Sequence, residues 1–147
     1  MWRSDGTQAG TALVKDLRSG AAGDVSYFGS FTVVDNVLYF SGNDGTNGKE
    51  LWKSDGTEAG TVMLADIWTG SFASGETSQG PHSSLPAYIT NVNGTLYFSA
   101  YTGEAGRELW KYTPAGGASL VADTVVGANS VDPTFITEVN GRVFFSG

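Results

Sequence analysis

Short apolar runs alternate along the chain with short runs of glycine, asparagine, aspartate and threonine. The apolar runs are rich in valine, phenylalanine and tyrosine, which favour β-strands, and the polar runs carry the residues that form tight turns. Asn93-Gly94 and Asn140-Gly141, each between two apolar runs, are strong signals for two-residue hairpin turns. No stretch has the spacing of an amphipathic helix. The pattern therefore predicts an all-β chain of antiparallel strands joined by tight turns.

The predicted strands follow one another in a series of four, here called a, b, c and d, which repeats along the chain. The predicted units are 1–17 (strands c and d), 31–67 and 88–125 (whole series) and 135–147 (strands a and b). Strand b is apolar at consecutive positions, as in Val37-Leu-Tyr-Phe40, which indicates a strand covered on both faces. The units therefore look like packed sheets rather than half-exposed ones.

One motif is present three times, most fully as Glu50-Leu-Trp-Lys-Ser-Asp-Gly-Thr-Glu-Ala-Gly-Thr61. It reads Trp2-Arg-Ser-Asp-Gly-Thr-Gln-Ala-Gly-Thr11 near the start and Glu108-Leu-Trp-Lys-Tyr-Thr-Pro-Ala-Gly-Gly117 further on. Repetition at intervals of about 40 to 50 residues is typical of propellers and similar arrays. The sequence therefore predicts a β-propeller fragment of four-stranded antiparallel blades.

The two terminal half-blades predict how such a fragment is completed. Two whole blades and two halves make fewer than the usual four to eight blades of a ring. Open strand edges and apolar blade faces would also promote association. We predict a homodimer that closes one six-bladed ring, with each composite blade built from two chains. A trimer with nine blades, and a rigid piece of a longer propeller that pairs irregularly, are the alternatives.

The repeated block Glu-Leu-Trp-x-Ser-Asp-Gly-Thr-x-x-Gly-Thr, with Val-Asn-Gly-x-Leu-Tyr-Phe further on, resembles the ELWxxDGT repeat family. The resemblance covers almost the whole chain and is strongest from Glu50 to Ile67. It is weakest over 112–117, where Thr-Pro-Ala-Gly-Gly replaces Ser-Asp-Gly-Thr. Such repeats occur in large bacterial proteins and are similar to β-propeller blades. The resemblance implies an extracellular or cell-surface location for the parent protein, and it implies no catalytic residues.

The charge of the chain argues against two classes of partner. The 147 residues carry a net charge of −7 and include no cysteine. Without a basic patch the chain lacks the electrostatic attraction that dominates nucleic-acid binding, and an anionic membrane surface would repel it. We therefore predict neither nucleic acid nor membrane as a partner. Because Met1 leads directly into a repeat, the sequence also predicts no signal peptide and a piece taken from a longer protein.

The longest connection between strand d and the next strand a lies between the two whole blades. In an up-and-down series this connection shares one face with the loop between strands b and c. Insertions on one loop face of a repeat protein often mark its binding face. A length difference in a surface loop without function is the alternative. The side chains suited to a sugar or a peptide here are Trp68, Phe72, Glu76 and His82.

Residues 43–50 resemble a loose calcium loop. The spacing departs from Asp-x-Asp-x-Asp-Gly, and the corresponding loop at 102–106 keeps few oxygen ligands. Turn chemistry is the alternative reading, as at Asp5 and Asp55, where the carboxylate accepts amide hydrogens and the next glycine adopts a positive φ. No other cofactor is predicted. The calcium ligands would be Asn43, Asp44, Asn47 and Glu50.

No convergent set of acid and base residues stands out, so we predict that the chain is not an enzyme. His82, the single histidine, precedes Ser83 but lacks the Gly-x-Ser-x-Gly turn of serine hydrolases. The function predicted is a scaffold that assembles with itself and binds a glycan or a protein on its loop face. The alternative is a purely structural repeat fragment of a large surface or secreted protein, with no ligand of its own.

Overall fold

The structure, a computed structural model, describes residues 1–18, 29–73 and 80–147. These residues form twelve β-strands in four antiparallel sheets, and they contain no helix. The same ranges accordingly hold no helix long and apolar enough to cross a membrane. The predicted all-β class is confirmed.

Two central sheets, II and III, each contain four strands that run up and down in chain order. Within each of these sheets, strands that follow one another in the chain pair with each other, which is the order predicted from the repeating pattern. Sheet II consists of β3 (Gly29–Val34), β4 (Val37–Asn43), β5 (Lys49–Ser54) and β6 (Val62–Ala65). Sheet III consists of β7 (Ala87–Val92), β8 (Thr95–Thr102), β9 (Gly106–Thr113) and β10 (Gly117–Ala122).

Two further sheets hold two strands each. Sheet I pairs β1 (Trp2–Arg3) with β2 (Ala12–Leu13). Sheet IV pairs β11 (Thr134–Val139) with β12 (Arg142–Ser146). By their place in the repeat, β1 and β2 correspond to the third and fourth strands of a central sheet, and β11 and β12 to the first and second.

The first strands of successive sheets lie beside each other, because β3 contacts β7 and β7 contacts β11. A threonine hydroxyl on each strand reaches the next one. Thr32 Oγ1 donates a hydrogen bond to the carbonyl of Ile89, and Thr90 Oγ1 donates one to the carbonyl of Ile136 over 2.7 Å. The two threonines are equivalent in the repeat, and so are the two isoleucines. The sheets therefore pack on each other through one repeated contact.

Two clusters of apolar side chains form the core between the sheets. The aromatic residue near the middle of the second strand, Phe40 in sheet II and Phe98 in sheet III, is fully buried in each. Burial of a side chain of this size contributes about 2 to 3 kcal/mol to the free energy of unfolding. One cluster contains Leu51, Ile89, Leu96, Phe98 and Ala100, and the other contains Leu17, Phe40 and Trp52.

The first strand of sheets II, III and IV begins with the same irregularity. Ser30, Tyr88 and Phe135 occupy equivalent positions and have φ angles of 53°, 55° and 52°. The pairing register shifts next to each of them, as in a β-bulge. A left-handed backbone is disfavoured for residues with a side chain, by roughly 1 to 2 kcal/mol. Its recurrence at three equivalent positions makes it a feature of the repeat.

The fourth strand of each central sheet is shorter than predicted. The sequence predicts strands over 61–67 and 119–125, whereas β6 and β10 both stop before these ranges end. The amides of Ile67 and Thr124 donate hydrogen bonds to the carboxylates of Glu50 and Glu108 instead of extending a strand ladder. A side-chain carboxylate therefore ends both strands.

Candidate functional site

The two described arms of the segment between sheets II and III, 66–73 and 80–86, pair with each other. The amide of Phe72 donates to the carbonyl of Gly80 over 3.1 Å, and the amide of His82 donates to the carbonyl of Gly70 over 2.9 Å. Ser71 and Pro81 form an antiparallel bridge between these two contacts. The backbone pairing fixes both arms of the loop and directs their aromatic side chains to one place.

Four rings from this region form an aromatic cluster, defined as Trp68, Phe72, His82 and Tyr101. The His82 ring stacks on the Trp68 indole with centroids 4.3 Å apart at an angle of 18°. Phe72 meets both of these rings edge-on, with centroids at 5.8 Å and 4.6 Å. His82 Nδ1 lies 2.9 Å from the carbonyl oxygen of Thr69, which fixes the imidazole in its plane. The side chains of the cluster are therefore packed against one another.

Tyr101 joins the cluster from sheet III. Its ring meets the Trp68 indole edge-on, with centroids 4.9 Å apart. Its amide donates to the carbonyl of Ser84 over 2.7 Å, which ties β8 to the end of the preceding loop. A Cβ added at Gly103 would stand 3.1 Å from the indole, so the hairpin between β8 and β9 approaches Trp68 closely. The two kinds of loop predicted to share a face do meet here.

Trp68 lines two clefts on this loop face. The larger, of about 520 Å³, lies among Trp68, Phe72, Tyr101, Leu85 and Arg107. The second, of about 440 Å³, is lined by the other parts of the loop and by the hairpin between β8 and β9. Both volumes fall within the roughly 300 to 1,000 Å³ of small-molecule sites in proteins. The larger cleft combines apolar walls with one cationic group.

Arg107 stands at the start of β9 and reaches across the sheet into the larger cleft. Its Nη1 donates to the carbonyl of Leu85 over 3.1 Å and to the hydroxyl of Ser99 over 3.2 Å. Its Nε lies 3.8 Å from a carboxylate oxygen of Asp132. Burial lowers the pKa of Arg107 below its ordinary value, and the Asp132 carboxylate opposes that shift. The guanidinium remains charged because the ordinary pKa is so high.

The structure brings together three of the four side chains predicted as a binding site: Trp68, Phe72 and His82. Glu76 lies outside the described residues. Sequence reasoning missed Tyr101 and Arg107. The run 95–99, which predicts the second strand of this unit, stops before Tyr101, and Arg107 reads as an ordinary surface cation. Only the pairing of Tyr101 with Arg107 across β8 and β9 places both at the cleft.

The side-chain oxygens of Asn43 and Asp44, both predicted to bind calcium, accept hydrogen bonds from the chain, and the Asn47 side-chain amide donates one to Asp44. Asn43 Oδ1 accepts the amide of Gly45, and Asp44 Oδ1 accepts the amides of Thr46 and Asn47. Burial raises the pKa of Asp44, but these bonds outweigh that effect and the pKa lies below its ordinary value. In the described parts of the chain, no three acidic, histidine or cysteine side chains group as a metal would require. These contacts favour the turn reading, and calcium stays a prediction.

The fourth predicted calcium ligand, Glu50, is fully buried and bonded to the chain. One carboxylate oxygen accepts the amide of Ser84 over 2.8 Å, and the other accepts the Ser84 hydroxyl and the amide of Ile67. Glu108, its equivalent, holds Thr124 and Val131 in the same way. Burial raises the pKa of Glu50 to about 7 although the hydrogen bonds oppose it. Both glutamates clamp the connection that leaves their sheet.

The Asp-Gly-Thr turns follow the predicted turn chemistry. Asp55 Oδ1 accepts the amide and the hydroxyl of Thr57 over 2.9 Å and 2.7 Å, and Gly56 has a φ of 89°. Asp5 makes the same contacts in sheet I. The Thr57 side-chain bond, then its amide bond, lowers the pKa of Asp55. These carboxylates are occupied in shaping their turns.

The end sheets expose apolar side chains that the central sheets bury. Trp2 on β1 is 68% exposed, whereas the equivalent Trp52 is 6% exposed. Phe145 on β12 is 39% exposed, whereas the equivalent Phe40 is fully buried. Within the described ranges, β1 pairs only with β2 and β12 only with β11. Each end sheet therefore presents one strand edge with apolar side chains beside it.

These geometric features stand without support from known proteins. Neither a protein-family model, nor a curated protein, nor a solved structure matches the chain. The sequence and the geometry of the molecule are therefore the basis for assigning a function.

Proposed function

We propose that the chain is a non-enzymatic scaffold of β-propeller blades that assembles with a second copy and binds a ligand on its loop face. The observation that carries the assembly is the contrast between Trp2 and Trp52. Two residues in the same place in the repeat differ in exposure, 68% against 6%. Sheet I consists of strands equivalent to the third and fourth of sheet II, and it lacks the first and second strands that complete sheet II. Sheet IV has those first two strands and lacks the others.

The register of such a composite sheet follows from the central sheets. In sheet II Phe40 pairs with Trp52, and in sheet III Phe98 pairs with Trp110. By equivalence, Phe145 of one copy would pair with Trp2 of the second copy. Each copy then supplies two whole sheets and half of two composite ones, so two copies make six blades. Completing both strand edges would also remove the aggregation hazard of an open sheet.

The exposure of the first strand supports the same arrangement. Ile89 and Ile136 are 5% and 6% exposed because the preceding first strand covers them, whereas the equivalent Phe31 is 57% exposed. In a closed ring, β11 of a second copy would cover Phe31. The seam between chains would then repeat the contact between β3 and β7.

A non-enzymatic role is supported by the state of the acidic side chains and of His82. Glu50 and Glu108 are buried and clamp loops, and His82 is stacked on Trp68. These groups are committed to structure rather than gathered around a reaction site. The resemblance to ELWxxDGT repeats supports placing the parent protein outside a bacterial cell or on its surface. A purely structural fragment with no ligand is the competing proposal.

Light scattering coupled to gel filtration tests the assembly. We expect the wild type to have twice the 15.4 kDa mass of the chain. Each of the single substitutions Trp2→Glu and Phe145→Glu should halve the mass found for the wild type. Val126→Glu is the matched control, because Val126 is 83% exposed and lies on neither strand edge, and it should leave the mass unchanged. A wild type that is a compact monomer would contradict the assembly, and a threefold mass would indicate nine blades.

A further inference from the structure

We propose that the larger cleft beside Trp68 binds an acidic saccharide, with the sugar carboxylate on Arg107 and the sugar ring against the aromatic cluster. The proposal names the ligand class for the loop-face binding proposed above, and it rests on that role. It does not rest on ring closure, because the residues that line the cleft come from the loop between sheets II and III and from sheet III of the same chain.

The guanidinium of Arg107 has one edge available for a ligand. Both hydrogens of Nη1 are directed at the chain, to Leu85 and Ser99. Within the described residues, Nη2 donates no hydrogen bond, and the Nε to Asp132 distance of 3.8 Å exceeds a hydrogen bond. The Nε and Nη2 hydrogens form the fork that pairs with the two oxygens of a carboxylate. The Asp132 side chain is 69% exposed, so a ligand carboxylate can take its place.

Aromatic side chains that contact one another also line the cleft. Trp68, Phe72 and Tyr101 are held by ring contacts at centroid distances of 4.9 Å and 5.8 Å. Aromatic rings carry negative charge on their faces and positive charge at their edges. The C–H groups of a pyranose ring, which are weakly positive, pack against such rings, and its hydroxyls need polar partners. Ser83 lines the same cleft, and its hydroxyl, which accepts the amide of Lys49 over 3.0 Å, still has a hydrogen to donate. Side chains fixed before binding lose little entropy when a ligand arrives.

The overall charge restricts the ligand further. The chain carries −7, so a polyanion would be repelled at long range. One carboxylate on an otherwise neutral sugar fits a cleft with one cationic side chain. The ligand class is therefore a saccharide with a single uronic acid unit at the contact.

Calorimetry with a matched pair of sugars tests the proposal. Cellobiouronic acid, a glucuronic acid linked to glucose, should bind about tenfold more tightly than neutral cellobiose, in which a hydroxymethyl group stands in place of the carboxylate. Asp132→Asn should strengthen binding of the acid by roughly threefold, because it removes a competing negative charge. Arg107→Lys should weaken it about tenfold, because the ammonium lacks the fork. Lys111→Gln, which removes one positive charge from the same strand, is the control and should have no effect.

Several results would overturn the proposal. These are equal affinity for the two sugars, no heat with either sugar at millimolar concentration, and tight binding of an acidic dipeptide such as Asp-Phe without binding of the sugar. The sugar pair and Asp132→Asn keep the test valid even if Arg107→Lys fails to fold. Repeating the titration with Trp2→Glu separates the two proposals. If a monomeric variant binds the sugar, the ligand proposal holds without ring closure. If the wild type assembles but does not bind the sugar, only the ligand proposal is overturned.

Discussion

Phe40 and Trp52 stand directly opposite each other on β4 and β5, with ring centroids 6.5 Å apart and planes at 27°. Phe98 and Trp110 repeat the pairing in sheet III. The pair joins the second and third strands at the point where the sheet is most buried. In the end sheets the equivalent residues lie apart, Trp2 in sheet I and Phe145 in sheet IV, and both are exposed.

A pair of cysteines tests whether these separated partners meet between copies. The chain has no native cysteine, so Trp2→Cys with Phe145→Cys adds two thiols and no others. Opposite residues on neighbouring antiparallel strands have Cβ atoms about 4.5 to 5.5 Å apart, close enough for a disulfide after small adjustment. We expect a covalent dimer on non-reducing gels. Trp2→Cys with Val143→Cys, two residues out of register, should form it far more slowly. Equal rates for the two pairs would contradict the proposed register.

The threonine contacts between sheets predict a difference between two identical substitutions. Thr90→Val leaves the carbonyl of Ile136 without its hydroxyl donor, and should lower the free energy of unfolding by about 1 kcal/mol. Thr137 is the equivalent residue on β11. In an assembled ring Thr137→Val should lower the free energy of unfolding by a similar amount. In a monomer it should lower that free energy by almost nothing. Urea denaturation at a concentration where the wild type is assembled provides the comparison.

The buried carboxylate of Glu50 predicts that stability falls as pH rises. A pKa raised from 4.5 to about 7 means that the folded state holds the proton more tightly than the unfolded state. The free energy of unfolding should therefore be highest near pH 5 and decrease through pH 7, by at most about 3 kcal/mol. Asp44, whose pKa is lowered, acts in the opposite direction only at lower pH.

Urea midpoints measured between pH 5 and pH 8 would reveal the Glu50 effect. Glu50→Gln removes the titrating group. The urea midpoint of this variant should therefore stay constant between pH 5 and pH 8, although the variant should be less stable overall. The amide nitrogen of glutamine would face the donors of Ile67 and Ser84. A wild type whose midpoint rises across this range would show that Glu50 is ionised when folded.

Gly106 and Gly117 form a matched pair for backbone strain. Their φ angles are 69° and 68°, but a Cβ at Gly106 would lie 2.0 Å from the carbonyl oxygen of Asn129, while one at Gly117 would meet nothing within 4 Å. Gly117→Ala should cost about 1 kcal/mol from the left-handed backbone alone. Gly106→Ala adds the collision and should cost at least about 3 kcal/mol. Thermal unfolding of the two variants would test this, and equal melting temperatures would contradict the close approach.

The repeated pattern of strands was predictable because each strand carries its own local signals. Turns such as Asn93-Gly94 fix the hairpins, and apolar runs fix the strands between them. The ends of the fourth strands were not predictable, because their amides are taken by Glu50 and Glu108. That competition depends on a carboxylate elsewhere in the sheet and leaves no mark on the strand itself.

The cleft was predictable only in part. Trp68, Phe72 and His82 lie on one inserted loop, so their common location could be inferred from the length of that loop. Arg107 and Tyr101 lie on strands of sheet III rather than on the loop. No local feature of the sequence indicates that either one contacts a ligand. Their position at the cleft depends on how sheet III packs against the loop, which is a property of the tertiary fold.

The hydroxyl contact from Thr32 to Ile89, repeated from Thr90 to Ile136, gives the series of sheets a direction. The first strand of sheet III, β7, accepts from β3 before it and donates to β11 after it. A second copy that continues the series must therefore follow tail to head and cannot join tail to tail. Whether the result is finite depends on the rotation from one sheet to the next. In the proposed ring, a substitution that changes this rotation would give an open filament in place of a closed particle.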